Sequence, residues 1–139
     1  MYKKTLTYTN LNGEQVTESL YFNLSKRDAL KIFGKYSNGT LDEKALQLYL
    51  DKLKGSKDVA KMVSFIEDVI LSAYGERSED GKYFMKDNVI RTRFENSLAY
   101  ADLFEELFTN PNELNEFIKG IFPSFSNEAS APTTASVVS

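Results

Sequence analysis

Residues Lys57 to Tyr74, KDVAKMVSFIEDVILSAY, constrain this chain more than any other stretch. Val59, Met62, Val63, Ile66, Ile70, Ala73 and Tyr74 recur at helical spacing and so share one face. Phe65, Val69 and Leu71 add apolar groups beside and behind it, which makes the second half apolar over most of its circumference. Such a helix must be covered from several sides, so it belongs at the centre of a small domain. Gly55-Ser56 offers a stop for the preceding helix and an N-cap for this one, and Gly75 stands where a left-handed C-cap belongs.

The cover has to come from the rest of the chain. Tyr2 to Tyr8 alternates, with Tyr2, Leu6 and Tyr8 on one side and Lys3, Thr5 and Thr7 on the other. Gln15 to Phe22 alternates too, with Val16, Leu20 and Phe22 opposed to Thr17 and Ser19. Asn10-Leu11-Asn12-Gly13 between them is a turn signal, so the pair reads as a β-hairpin. A lone hairpin is marginal in water, so its apolar face must lie on helices or join another strand. Tyr21 falls on the polar face.

Five further helices are expected. Ser25 to Asp28 forms a cap for a helix carrying Ala29, Leu30, Ile32, Phe33 and Tyr36, ended by Ser37-Asn38-Gly39. Thr40-Leu41-Asp42-Glu43 is a capping box that opens a second helix to about Lys54. Its face holds Leu46, Tyr49, Leu50 and Leu53, widened by Leu41, Ala45 and Leu48. Past the central helix, Glu76 to Lys82 is polar and turn-like, and Tyr83-Phe84-Met85 is too short to carry a strand assignment. Asp87 or Asn88 can cap a helix with Val89, Ile90 and Phe94. Ser97 precedes a helical stretch whose face holds Tyr100, Leu103, Phe104, Leu107 and Phe108, with Glu105 and Glu106 pointing away. Asn110-Pro111-Asn112-Glu113 opens a last helix, with Leu114, Phe117 and Ile118, that stops at Gly120. From Ser124 the chain turns to Ser, Thr and Ala, too poor in apolar groups to offset the entropy of ordering. The expected fold is α+β: a mostly helical small domain over residues 1–123, with an N-terminal β-hairpin and a disordered, flexible C-terminal tail over 124–139.

Composition excludes several functions. The 139 residues include no Cys, which removes disulfides and thiolate zinc sites, and no His, the commonest general base and metal ligand. Net charge is −3 with both signs interspersed, so a broad basic field for nucleic acid is not expected. No apolar run reaches a membrane span, and MYKKTLTYTN does not read as a signal peptide. The adjacent acids Glu105/Glu106 do not face each other on a helix and read as a solvated face. Glu79/Asp80 lacks the alternating acids of a calcium loop, and Gly75 to Lys82 lacks the spacing and hydroxyl of a phosphate loop. An enzyme working through carboxylates would need acids from different elements converging in one pocket. What stands out is aromatic surplus: eight Tyr and ten Phe, with no Trp. Most belong in the core. Those hidden least well by periodicity are Tyr21, Tyr83, Phe84, Tyr100, Phe122 and Phe125, which are the candidates for gripping a partner helix.

Three blocks carry a family resemblance. LTYTNLNGEQVTESLYFNLSK (Leu6 to Lys26), ILSAYGERSEDGKYFMKD (Ile70 to Asp87) and FENSLAYADLFEELFTNPNELNEFIKGIFP (Phe94 to Pro123) occur in the order seen in a tail assembly chaperone family of long-tailed siphophages and prophages of Gram-positive bacteria. The chain resembles that family over nearly all of residues 1–123, with Ile32 to Ser56 contributing no motif. The resemblance implies a non-catalytic chaperone, without cofactors, that coats and solubilises the tape measure protein and helps recruit tail tube protein subunits, the latter through a longer frameshifted form. It implies work in the host cytoplasm, absence from the mature virion and no role for nucleic acid or membrane. Self-association along the elongated partner is expected, because one small domain covers little of a long rod. The alternative is an adaptor or inhibitor from a phage or mobile element that binds a host protein through an apolar groove.

Overall fold

The computed structural model describes residues 1–36 and 43–122. The expected helix stop at Ser37 to Gly39, the capping box from Thr40, and the boundary and tail from Pro123 onward lie outside the described residues. The chain comprises two compact units. Met1–Asn23 joins Ile66–Ile121 in one, and Leu24–Phe65 joins Phe122 in the other.

The first unit is built on the hairpin. Strands β1 (Tyr2–Thr9) and β2 (Gln15–Phe22) pair antiparallel, with Leu6 opposite Glu18 and Thr7 opposite Thr17. Asn10 holds the turn: its side-chain oxygen accepts the Asn12 and Glu14 amides at 2.9 Å each, and Gly13 supplies the left-handed residue at φ 80°. The second half of α3 (Val59–Ala73) belongs to this unit, and there Ile66, Val69, Ile70, Leu71 and Ala73 are all buried.

Two strands follow that the sequence did not announce. β3 (Tyr74–Arg77) adds to β2, and β4 (Phe84–Met85) adds to β3, giving one antiparallel sheet in the order β1-β2-β3-β4. Gly75 is therefore no left-handed C-cap; it is a strand residue, and the left-handed glycines among the described residues are Gly13 and Gly81. The hairpin gains its neighbouring strand at Tyr21↔Gly75 and Phe22↔Tyr74.

Helices α4 (Asn88–Glu95), α5 (Leu98–Thr109) and α6 (Pro111–Ile121) complete the unit. Each begins at a capping side chain. The carboxylate of Asp87 accepts the Ile90 amide at 2.8 Å, the hydroxyl of Ser97 accepts that of Tyr100 at 3.1 Å, and Asn110 accepts that of Glu113 at 3.3 Å. The inner sheet face meets these helices through a ladder of rings. Tyr2 and Phe22 both lie edge-on to Phe117, at 5.3 and 5.0 Å between centroids, and Phe22 reaches Phe94, on which Tyr74 stacks at 3.7 Å. α6 runs through Gly120 to Ile121, since Gly120 is there for the ring of Tyr2: a Cβ would lie 2.3 Å from it.

Lys4 also sits on the inner face. Its ammonium bonds to Glu106 and, at 3.2 Å, to Glu113, which ties β1 to α5 and α6. Burial alone would lower its pKa, but the two carboxylates reverse that and hold it above its usual value. Glu106 thus corrects the expectation of a purely solvated acidic pair; Glu105 is the exposed member.

The second unit is helical. α1 (Lys26–Tyr36), α2 (Glu43–Ser56) and the start of α3 bury Ile32, Phe33, Tyr36, Leu50, Leu53 and Phe65. Each sealed Phe or Leu contributes roughly 1.5–3 kcal/mol relative to an exposed one. Tyr36, Tyr49 and Phe65 form a three-ring cluster with centroids 4.9–5.6 Å apart. Leu30 and Leu48 stand out in solvent, each two positions from a buried residue and so roughly 200° round the helix from it. Val59 is exposed as well, with its whole turn, Val59 to Lys61. The α2–α3 junction differs from the expected Gly55-Ser56 break. α2 continues to Ser56, the chain turns at Lys57 (φ 59°), and Asp58 caps α3 by accepting the Lys61 amide at 3.2 Å. Ser56 serves the junction instead: its hydroxyl donates to the Leu53 carbonyl at 2.9 Å and accepts the Asp58 amide at 3.2 Å.

Candidate partner-binding face

Strand parity decides which aromatic residues of the first unit meet solvent. Phe22 points inward and Tyr21 outward, because successive strand side chains alternate. Tyr21 pairs with Gly75, and Arg77, two residues on, pairs with Phe84, so these four share the outer face. The outer face begins as a hydroxyl ladder, with Thr5 and Ser19 oxygens 3.2 Å apart and Thr7 and Thr17 3.0 Å apart. Toward the far end of β2 it becomes aromatic.

Gly75 makes that end possible. A Cβ there would sit 2.6 Å from Cε2 of Phe84, so only glycine lets the ring lie down on β3. Two cations frame the rings. The guanidinium of Arg77 lies 5.1 Å from the Tyr21 centroid, and Lys86 Nζ lies 5.8 Å from that of Phe84. Lys86 is fixed in turn by donating to the carbonyls of Asn23, at 2.6 Å, and Ser72, at 2.8 Å.

Tyr83, beside Phe84, is 67% exposed. Its backbone is nonetheless pinned, its amide to the Ser78 hydroxyl at 3.0 Å and its carbonyl to the Ser78 amide at 2.9 Å. The loop closes on Gly81 at φ 74° and on Asp80, which accepts the Ser78 hydroxyl at 2.6 Å and the Lys82 amide at 3.0 Å. Those two bonds hold the Asp80 carboxyl below its usual pKa. Asp80 builds the turn that presents Tyr83. Met85 and Val89 add exposed apolar surface within the same short stretch.

Of the six sequence candidates, the structure places Tyr21 and Phe84 on one face, and Tyr83, next to Phe84 in sequence, is exposed. Tyr100 is buried: its ring lies edge-on to Phe94 at 5.4 Å and its hydroxyl donates to Glu67 at 3.2 Å. Burial first, and then the Glu67 carboxylate, push its pKa far above the ordinary tyrosine value. Phe122 is buried too, packed 5.4 Å from Phe33 in the second unit. Both are core rings in this chain, and Phe125 lies outside the described residues. Gly75, Arg77 and Lys86 escaped the sequence reading because their roles depend on β3. Tyr-Gly-Glu-Arg carries two charges and a glycine in four residues, a poor strand signal on its own.

The family model for phage tail assembly chaperones matches residues 1–135. This chain belongs to that family. No curated protein and no solved structure matches it. A tail assembly chaperone works on the tail proteins of a phage, so in this family member the exposed rings carry more interest than any single titratable group. No helix among the described residues is long and apolar enough to cross a membrane.

Proposed function

We propose that this chaperone binds and solubilises the tape measure protein, taking its apolar helical segments on the aromatic end of the outer sheet face. The observation that supports it is the outward pair Tyr21 and Phe84, set against Arg77, Gly75 and Lys86, with the exposed ring of Tyr83 next to them in sequence. Tyr and Arg are the residues that carry interface energy best, because large pre-ordered rings lose little entropy on docking. An open face accepts successive turns of a long amphipathic rod more readily than a deep pocket does. Several copies then line one partner, and tail tube protein subunits are recruited to the coated rod through a longer form of the chaperone. The work takes place in the host cytoplasm.

Co-expression tests this. Tape measure protein made with this chain stays soluble and co-purifies; made with the Tyr83→Ala/Phe84→Ala variant it precipitates, while the variant itself stays folded by circular dichroism. Tape measure that remains insoluble beside the unaltered chain would end the proposal.

A further inference from the structure

The two faces of the sheet differ in charge as well as in rings. The four strands hold two acids, Glu18 and Glu76, and strand alternation turns both away from the outer face. Glu18 stands opposite Leu6 and accepts the Tyr8 hydroxyl at 2.6 Å; Glu76 pairs with Arg93 of α4 at 3.1 Å. Two cations do face outward, one on each strand beside Tyr21. Lys3 is its cross-strand partner on β1, and the Arg77 guanidinium, from β3, lies 5.1 Å from its ring centroid. Both are exposed, and neither enters an ion pair among the described residues. Lys86, committed to two backbone carbonyls, is not counted with them.

Arg77 also has a defined place. A Cβ on Gly81 would lie 3.3 Å from its Nη2, so the guanidinium fits between the β3–β4 turn and the Tyr21 ring. Its cross-strand partner is Phe84. Directly opposed strand residues hold their Cβ atoms roughly 4.5–5.5 Å apart. Residues one turn apart on a helix hold theirs roughly 5–6 Å apart. A helix laid on this face can therefore set one side chain against Phe84 and the next along its stripe against Arg77.

We propose that the outer face selects helical segments in which Asp or Glu stands one turn from an apolar side chain. The proposal rests on the reading that this face is the grip, and adds what the gripped segment must carry. The apolar side chain lies against Phe84 and Tyr21. The carboxylate accepts hydrogen bonds from the Arg77 guanidinium, whose fork matches it, and draws the Lys3 ammonium from across Tyr21. With no acid on the outer face of the strands, the two cations gain a partner that the chain itself does not supply there. Single-stranded nucleic acid fits less well, since it needs several ring faces laid open in succession. Here the guanidinium stands over Tyr21, and Phe84 lies against Gly75.

Fluorescence anisotropy with the full chain tests it. The probes are labelled helical peptides of about 15 residues, one with Leu and Glu four positions apart, one with Gln for Glu and one with Lys for Glu, and a labelled oligothymidylate. The Leu/Glu peptide binds about tenfold more tightly than the Leu/Gln peptide, and the preference shrinks between about 0.05 and 0.5 M salt. Lys3→Gln/Arg77→Gln removes the preference, and Lys119→Gln on α6 keeps it, with circular dichroism to confirm the folds. Lys3→Gln alone, at an exposed side chain, reduces the preference even if the double variant fails to fold. If the Leu/Gln or Leu/Lys peptide binds as well as Leu/Glu, and Phe84→Ala weakens them all, the face grips without choosing acids and this proposal alone fails. If no peptide binds, or Phe84→Ala changes nothing, the reading of the face as the grip fails with it. Tighter binding of the oligothymidylate would overturn the proposal in favour of nucleic acid. Self-association in sedimentation that Lys3→Gln/Arg77→Gln abolishes would overturn it in favour of a second copy.

Discussion

The two faces of the four-stranded sheet use one residue type for opposite ends. Phe22 and Tyr74 point inward and pack with Phe94 and Phe117; Tyr21 and Phe84 point outward, Tyr21 beside the Arg77 guanidinium and Phe84 beside Lys86 and against Gly75. Neighbouring residues, Tyr21 and Phe22, take opposite roles. A ring becomes core or grip by strand parity, and parity is fixed by register. The inner face spends its aromatic area on stability and the outer face leaves it available to a partner. Substitutions should therefore separate the two.

The sharpest test falls on the inner face. Phe22→Ala removes a ring that is fully buried among Tyr74, Phe94 and Phe117. A cavity of that kind costs about 3–5 kcal/mol, read from the urea midpoint. A loss under about 1 kcal/mol would mean the two faces do not differ as described.

Lys4 tests the polar part of the same face. Lys4→Met leaves Glu106 and Glu113 facing each other without their cation. The pair is only partly buried, so the cost should be about 1–3 kcal/mol, below that of a fully buried ion pair. Adding Glu106→Gln to Lys4→Met should recover part of it; strict additivity would show that the three groups do not act together.

The same inner face shows how far the sequence could be read. The hairpin, its turn at Asn10 to Gly13 and the caps at Ser25, Ser97 and Asn110 follow from alternation and side-chain chemistry acting over a few residues. So does the burial of the second half of α3, where apolar groups occupy most of the circumference. β3 was not legible, because Tyr74 continues the helical pattern and only pairing with Tyr21 and Phe22 makes it a strand. With β3 unseen, Gly75 read as a cap, and Phe84 and Tyr21 could not be placed side by side. Tyr100 and Phe122 read as surface because their partners, Glu67 with Phe94 and Phe33, are distant in sequence. Local rules located the rings; long-range pairing decided which of them a partner can touch.

Gly75→Ala strikes the outer face from beneath. Its new methyl meets the edge of the Phe84 ring, a side chain at the sheet margin that can swing away, with the Met85 carbonyl 3.0 Å off. The expected cost is about 1 kcal/mol, with capture of the partner lost more completely than stability. Stability falling by several kcal/mol instead would make Gly75 part of the core.

Alkali offers a smaller probe of the inner face. Burial first, and then Glu76, push the Tyr74 phenol up to about 12 from 10.0. Because the folded value is raised, its contribution is complete below pH 10 and is lost as pH climbs toward 12, where the unfolded chain ionises and the folded one resists. Tyr74→Phe keeps the stack on Phe94 and should flatten part of that alkaline decline in the unfolding midpoint. Tyr100, Tyr2 and Lys4, also raised, contribute to the rest. An unchanged profile would place the alkaline loss elsewhere.

The smallest stability effect belongs to the most exposed ring. Tyr83 touches the fold through its backbone, held by Ser78, and its side chain lies mostly in water. Tyr83→Ala should change the unfolding free energy by no more than about 0.5 kcal/mol. If the outer face is the grip, the same change weakens tape measure capture by about tenfold, or roughly 1.4 kcal/mol of binding. Two outcomes would blur the contrast between the faces: a variant that binds as before, or one that loses stability and binding together. A variant that stays as stable as its parent while releasing the partner separates grip from core on a single side chain, because the backbone presenting position 83 is held by Ser78 and does not depend on the ring.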